Sequence, residues 1–175
     1  AGSGTYTTGS EGQTLGEAQY YWRVKSIDEN DAESSYTTAN SGGVAFGVDT
    51  AVPTTPGTPS TTTPTSDTTP TWTWTASTDS GSGLSSSQTY ILSYSQDADF
   101  DSYTSTDVLT NSFTHGTPLG EGTWYVRVAA LDNVGRTSTI SDTATILVDT
   151  SSPTVPGTPS MPASATNDTT PTWTW

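Results

Sequence analysis

Apolar and polar positions alternate along the chain in short bursts. Thr71-Trp72-Thr73-Trp74-Thr75 sets both indoles on one face of an extended strand and three threonines on the other, because strand side chains point to opposite sides with period two. Tyr90, Leu92 and Tyr94 line one face of the next strand, Trp124, Val126, Val128 and Ala130 a third, and Ala144, Ile146 and Val148 a last one. Between them lie clusters of Gly, Ser, Asp and Pro, such as Ser77 to Gly83, which are turn chemistry. The pattern predicts an all-β chain, with about seven short strands in about 100 residues, the size of a two-sheet β-sandwich.

The pattern also repeats. Val48-Asp49-Thr50 returns as Val148-Asp149-Thr150, and Pro56 to Ser60 as Pro156 to Ser160, both at an offset of 100. Asp67 to Trp74 returns as Asp168 to Trp175 at 101, and Leu15 to Asp28 aligns without a gap on Leu119 to Asp132 at 104. A fixed period sets where units begin. It predicts the later part of one unit in residues 1–50, a whole unit in 51–150 and the opening of a third in 151–175, as expected of a window on a longer tandem array. An alternative is that the end pieces complete one another between chains by strand donation in a filament.

Composition narrows the chemistry. The chain has 175 residues, of which 39 are Thr and 25 Ser, with 4 Lys and Arg against 18 Asp and Glu, a formal charge of −14 and no cysteine. Four cations, Arg23, Lys25, Arg127 and Arg136, cannot build a phosphate-neutralising footprint, so nucleic acid and anionic membrane surfaces are poor partners. Disulfides, cysteine-ligated metals and thiol catalysis fall away with the cysteines. No stretch approaches the roughly 18 apolar residues of a membrane span, and residues 1 to 10 carry neither a basic start nor an apolar run, so no membrane insertion is expected. A threonine-rich chain could be disordered, but 17 aromatic residues spaced in alternation argue for strands whose solvent faces are threonine.

At these residues the unit resembles a fibronectin type III or bacterial immunoglobulin-like repeat. Trp74 stands at the core tryptophan of strand B, Tyr90-x-Leu92-x-Tyr94 at the strand C pattern, and Leu119 to Asp132 at the strand F pattern. The resemblance spans essentially the whole chain and implies tandem immunoglobulin-like or fibronectin type III-like β-sandwiches, of the kind strung along secreted and cell-surface proteins. The family's corner tyrosine falls on Tyr20 in the first unit but on Trp124 in the second, where an indole can donate but not accept. The same topology implies that the incoming linker meets the loops joining strands B to C and F to G at one pole. That would gather Asp49, Asp79 and Asp132 at the junction. Three unpaired carboxylates repel one another, and a hard, oxygen-seeking cation such as calcium would relieve the repulsion.

Other candidate chemistry is thinner. His115, the one histidine, precedes a Gly-Thr-Pro turn with no nucleophile motif nearby, and 13 of the acids are aspartates in turn-like sequence, so no enzyme is expected. Asp97-Ala98-Asp99-Phe100-Asp101 is spaced like a calcium loop, yet Ser102 and Val108 stand where Gly and Glu are required, and the run reads as a loop with its aromatic turned inward. The segment Val48 to Thr71 reads as a Thr/Pro linker that stiffens a junction and blocks edge pairing; Thr61, Thr62, Thr63 and Thr65 offer O-glycan positions, and Asn167-Asp168-Thr169 an N-glycan tripeptide. Tyr21, Tyr125, Arg23 and Arg127 point to the outer face of strand F, where a cation–π ladder is expected.

The function expected from the resemblance is a non-catalytic extracellular or cell-surface stalk or adhesive segment. Its partners would be neighbouring repeats or identical chains, with surface glycans or host proteins at the far end of the array. An accessory carbohydrate-binding module of a secreted hydrolase is the second alternative.

Overall fold

A computed structural model describes residues 14–160 and 167–175; the parts of the first and third units at 1–13 and 161–166, and the start read for a targeting signal, lie outside the described residues. The strands in chain order are β1 (Ala18–Tyr20), β2 (Arg23–Val24), β3 (Thr37–Thr38), β4 (Phe46–Val48), β5 (Thr71–Thr73), β6 (Tyr90–Ser95), β7 (Thr104–Val108), β8 (Ser112–Thr114), β9 (Gly122–Ala130) and β10 (Ala144–Val148). β5 to β10 form a β-sandwich. One sheet has the order β10-β9-β6-β7, all antiparallel, and the other pairs β5 with β8.

The Thr/Pro segment read as a linker belongs to this sandwich. Ser60 pairs with Thr73 and extends the β5-β8 sheet; the chain then crosses at a cis Thr63–Pro64 bond, and Thr65 pairs in parallel with Val148 of the opposite sheet. Pro53, Pro56 and Pro59 are buried. Proline here does not block edge pairing. It lacks a donor only where none is needed, while Ser60 and Thr65 supply N–H groups to Thr73 and Leu147 carbonyls.

The alternation rule places the core. Trp72, Trp74, Tyr90, Leu92, Val126, Val128, Ile146 and Val148 are buried between the sheets, whereas Thr71 and Thr73 face solvent. Trp74 meets the Tyr90 ring edge-on at 5.4 Å, and the Tyr90 hydroxyl accepts the Ser77 N–H, anchoring the loop after β5 to the core. Burying each large aliphatic side chain contributes about 1.5–3 kcal/mol, so this cluster is the main source of stability.

Residues 14–48 repeat half of the plan. β1 pairs with β4 in the register Tyr20↔Phe46, which is the register Trp124↔Ile146 of β9 and β10. Tyr20 donates its hydroxyl to the Gly16 carbonyl at 2.8 Å, and Trp124 donates its indole N–H to the Gly120 carbonyl, also at 2.8 Å. The corner needs only a donor, so the indole serves.

Candidate metal site

Three loops meet where the first strand pairs give way to the sandwich. Asp49 follows β4, Asp79 lies in the loop between β5 and β6, and Asp132 follows β9. Each carboxylate is held by its own turn. Asp49 Oδ1 accepts the Ala51 N–H, Asp79 Oδ2 accepts those of Gly81 and Gly83, and Asp132 Oδ1 those of Val134 and Arg136. These are side chain to backbone bonds that aspartate makes readily in turns.

The three carboxylates converge, as the sandwich topology predicts, with one oxygen of each lying within 4.8 Å of the others. The hydrogen bonds leave a remainder. Asp132 is only 2% exposed, yet its Oδ2 has no partner, and neither does Asp79 Oδ1. A buried carboxylate oxygen without a partner is costly, and two beside a third carboxylate more so. Ser82, whose main-chain N–H donates to Oδ2 at 2.6 Å, holds the Asp49 carboxyl below the usual carboxylate range, with Arg136 adding a weaker favourable field.

The donor set fits a hard cation. Oxygens at about 2.3–2.6 Å from a calcium ion can stand up to about 5 Å apart across it, whereas magnesium at about 2.0–2.1 Å draws its ligands closer. Three carboxylates supply the charge; water and loop carbonyls would complete the six to eight ligands calcium takes.

Several residues that build the site are not evident as ligands. A Cβ at Gly81 would overlap the Asp49 carboxylate, so the carboxylate can lie against the β5–β6 loop here only where that residue has no side chain. Asn133 ties that loop to the turn after β9: its side-chain N–H donates to the Ser82 carbonyl at 2.8 Å, and its main-chain N–H donates to that of Gly83. Thr50 donates to Glu17 at 3.2 Å, and the equivalent Thr150 to Glu121 at 3.4 Å, so both departing segments are held alike. The sequence signal for these was the repeat of Leu-Gly-Glu and Val-Asp-Thr; nothing marked Gly81 or Asn133 among other turn residues.

The other candidates fall elsewhere. Asp97 accepts the N–H groups of Asp99, Asp101 and Ser102, which closes its loop on itself and presents no ligand set. Phe100 is buried, but against Arg127 on the outer face of β9, 3.8 Å from the guanidinium, and Arg23 stacks on Tyr36 at 4.0 Å. The cations thus stack on aromatics of neighbouring segments. His115 is buried edge-on between Tyr94 and Phe113, its Nε2 unpartnered, and burial lowers its pKa. Of the glycan positions Thr62, Thr63 and Asn167 are exposed and Thr61 and Thr65 half-buried; Thr63 Oγ1 accepts the Leu147 N–H. Trp72 and Trp74 have no face free for a sugar.

Among the described residues no helix is long and apolar enough to cross a membrane. No family model matches the chain, and no curated protein matches it. Solved structures do. The crystal structure of a Fn3-like protein from Clostridium thermocellum shares 22% identity, covering 55% of this chain and 93% of that one, with a TM-score of 0.40. The solution structure of the sixth fibronectin type III domain from human fibronectin type III domain containing protein 3 shares 18%, covering 63% and 98%, with a TM-score of 0.46. The strand order itself, a three-segment sheet facing β10-β9-β6-β7, defines a fibronectin type III-like β-sandwich.

Proposed function

We propose that this chain is part of a non-catalytic extracellular or cell-surface spacer, in which successive fibronectin type III-like units are held in line by a calcium ion at their junction. The observation that carries this reading is the buried, unpartnered Oδ2 of Asp132 beside Asp79 and Asp49, a carboxylate cluster drawn from both sides of the junction. A cation there would join the segment after β4 to two loops of the sandwich, replacing mutual repulsion by shared coordination and restricting the angle between units. Without it the carboxylates repel and the junction loosens. The 100-residue period supports repetition of the same joint, since Asp149 accepts the Ser151 N–H as Asp49 accepts that of Ala51, and Asp28 accepts those of Asn30 and Ala32 much as Asp132 serves its own turn. Surface threonines and the acidic charge keep such a spacer solvated and self-repelling. Glycans on Thr61, Thr62, Thr63, Thr65 or Asn167 would add to this, and the intact mass of secreted protein reports them.

Calcium titration of the full chain tests the reading. A rise in melting temperature with one ion bound, together with a change in hydrodynamic radius, is expected. No response in either quantity overturns it.

A further inference from the structure

Beside the unpartnered oxygens Asp132 Oδ2 and Asp79 Oδ1 stands another buried oxygen without a partner, the Ser82 hydroxyl. It is neutral, and the main chain around it is fixed. The N–H groups of Gly81 and Gly83 donate to Asp79 Oδ2 at 3.2 and 2.8 Å, and that of Ser82 between them donates to Asp49 Oδ2 at 2.6 Å. The Ser82 carbonyl accepts the Asn133 side-chain N–H at 2.8 Å. Three successive N–H groups thus face two of the three carboxylates, and the place of the hydroxyl between them depends on one torsion. Ser82 also does more than any other residue to hold the Asp49 carboxyl low, which sets it against that carboxylate. A buried hydroxyl normally finds a partner, and leaving one unmade costs stability as it does for a carboxylate oxygen. One hard cation would satisfy all of these oxygens together.

On the reading of this cluster as a cation site, we infer that the Ser82 hydroxyl oxygen is a fourth protein ligand, so that one residue holds the ion with its side chain and the incoming Asp49 with its main chain. A neutral oxygen adds coordination without adding repulsion. Three carboxylates already exceed the charge of a divalent ion, and a fourth would raise their mutual repulsion again. Calcium, which takes about six to eight oxygens, has room for a hydroxyl beside water and carbonyls.

Calorimetric calcium titration and terbium luminescence of the full chain test the assignment. Terbium(III) is a hard cation that stands in for calcium, and its emission lifetime in water against heavy water counts the waters bound to it. Ser82→Ala should weaken calcium binding by about 10-fold, the scale on which loss of one supporting group acts at metal sites. It should also add about one terbium-bound water, which takes the vacated place. Without a cation this variant should melt at or above the wild-type temperature, because it loses only an unpartnered buried hydroxyl. Ser82→Thr, which keeps the hydroxyl, should keep the wild-type water count. A lower cation-free melting temperature for Ser82→Ala would mean that the hydroxyl is already hydrogen-bonded, and overturns the assignment. A threonine variant that takes up the extra water overturns it too. If the wild type binds neither ion, the cation junction itself fails; if it binds them and Ser82→Ala matches it in affinity and water count, only the fourth ligand does.

Discussion

The Asp49 carboxylate occupies the space that a side chain on Gly81 would need. One residue precedes the sandwich and the other lies 32 positions later in its β5–β6 loop, so a single glycine leaves room for that carboxylate against the loop.

Gly81→Ala is therefore expected to push the Asp49 carboxylate out of the cluster while the sandwich stays folded, since Gly81 is exposed and lies outside the core. At a calcium concentration about 100-fold above Kd, binding should stabilise the wild type by about 2.7 kcal/mol. Differential scanning calorimetry with and without calcium should show most of that gain absent in the variant; an undiminished gain would refute the close-approach argument.

Asp79→Asn keeps an oxygen for the Gly81 and Gly83 N–H groups but removes one of three converging charges. Without calcium it should melt at or above the wild-type temperature, and with calcium it should gain far less. A fall in the cation-free melting temperature, with the calcium response intact, would mean that the carboxylates do not repel.

His115 predicts a pH dependence of opposite origin to a salt bridge. Burial lowers its pKa below the ordinary 6.5, so on acidification the unfolded chain takes up the proton first. Its effect on stability is absent above about 6.5 and becomes a growing penalty as pH falls from there to the folded value, whereas the lowered Asp49 carboxyl loses its contribution only below about 3.8. Replacing His115 by Phe, which retains an aromatic ring between Tyr94 and Phe113, should flatten urea-derived stability between pH 6.5 and 5; an unchanged slope would exclude His115 as its source.

Trp124→Phe should cost about 0.5–1.5 kcal/mol through loss of the hydrogen bond to Gly120, and Trp124→Tyr should recover part of it. Chemical denaturation of the three proteins distinguishes a corner bond from simple packing, for which Phe would match Tyr.

Val128→Ala and Val24→Ala change equivalent positions of one motif. The first, in the sealed core, should destabilise by about 2 kcal/mol. The second, exposed within a single copy, should stay within about 0.5 kcal/mol in dilute solution. Equal costs would mean that Val24 is covered in the isolated chain.

Much of the fold was legible because strand faces are local. The period-two placement of Trp72 and Trp74, and of Val126 and Val128, is a property of the extended backbone, and it carried through to burial. The Thr/Pro segment was misread because proline content describes a missing donor and not the partner available: Ser60 and Thr65, between the prolines, found edges on two different sheets. The DADFD run is the loop that its residues suggest, but its aromatic does not turn into the core: Phe100 covers the outer face of β9 because Arg127, 27 residues away, lies there.

What the sequence by itself determined is what its neighbours along the chain enforce: the β class, the repeat near 100 residues and the alternating core; the grouping of the three aspartates came from the topology that the resemblance implies. Which oxygens of those aspartates remain unpartnered, and that the Asp49 carboxylate fills the space beside Gly81, were decided by tertiary structure alone. Each depends on how closely segments distant in sequence approach, and that distance is set by the packing of two sheets rather than by any residue's own preference.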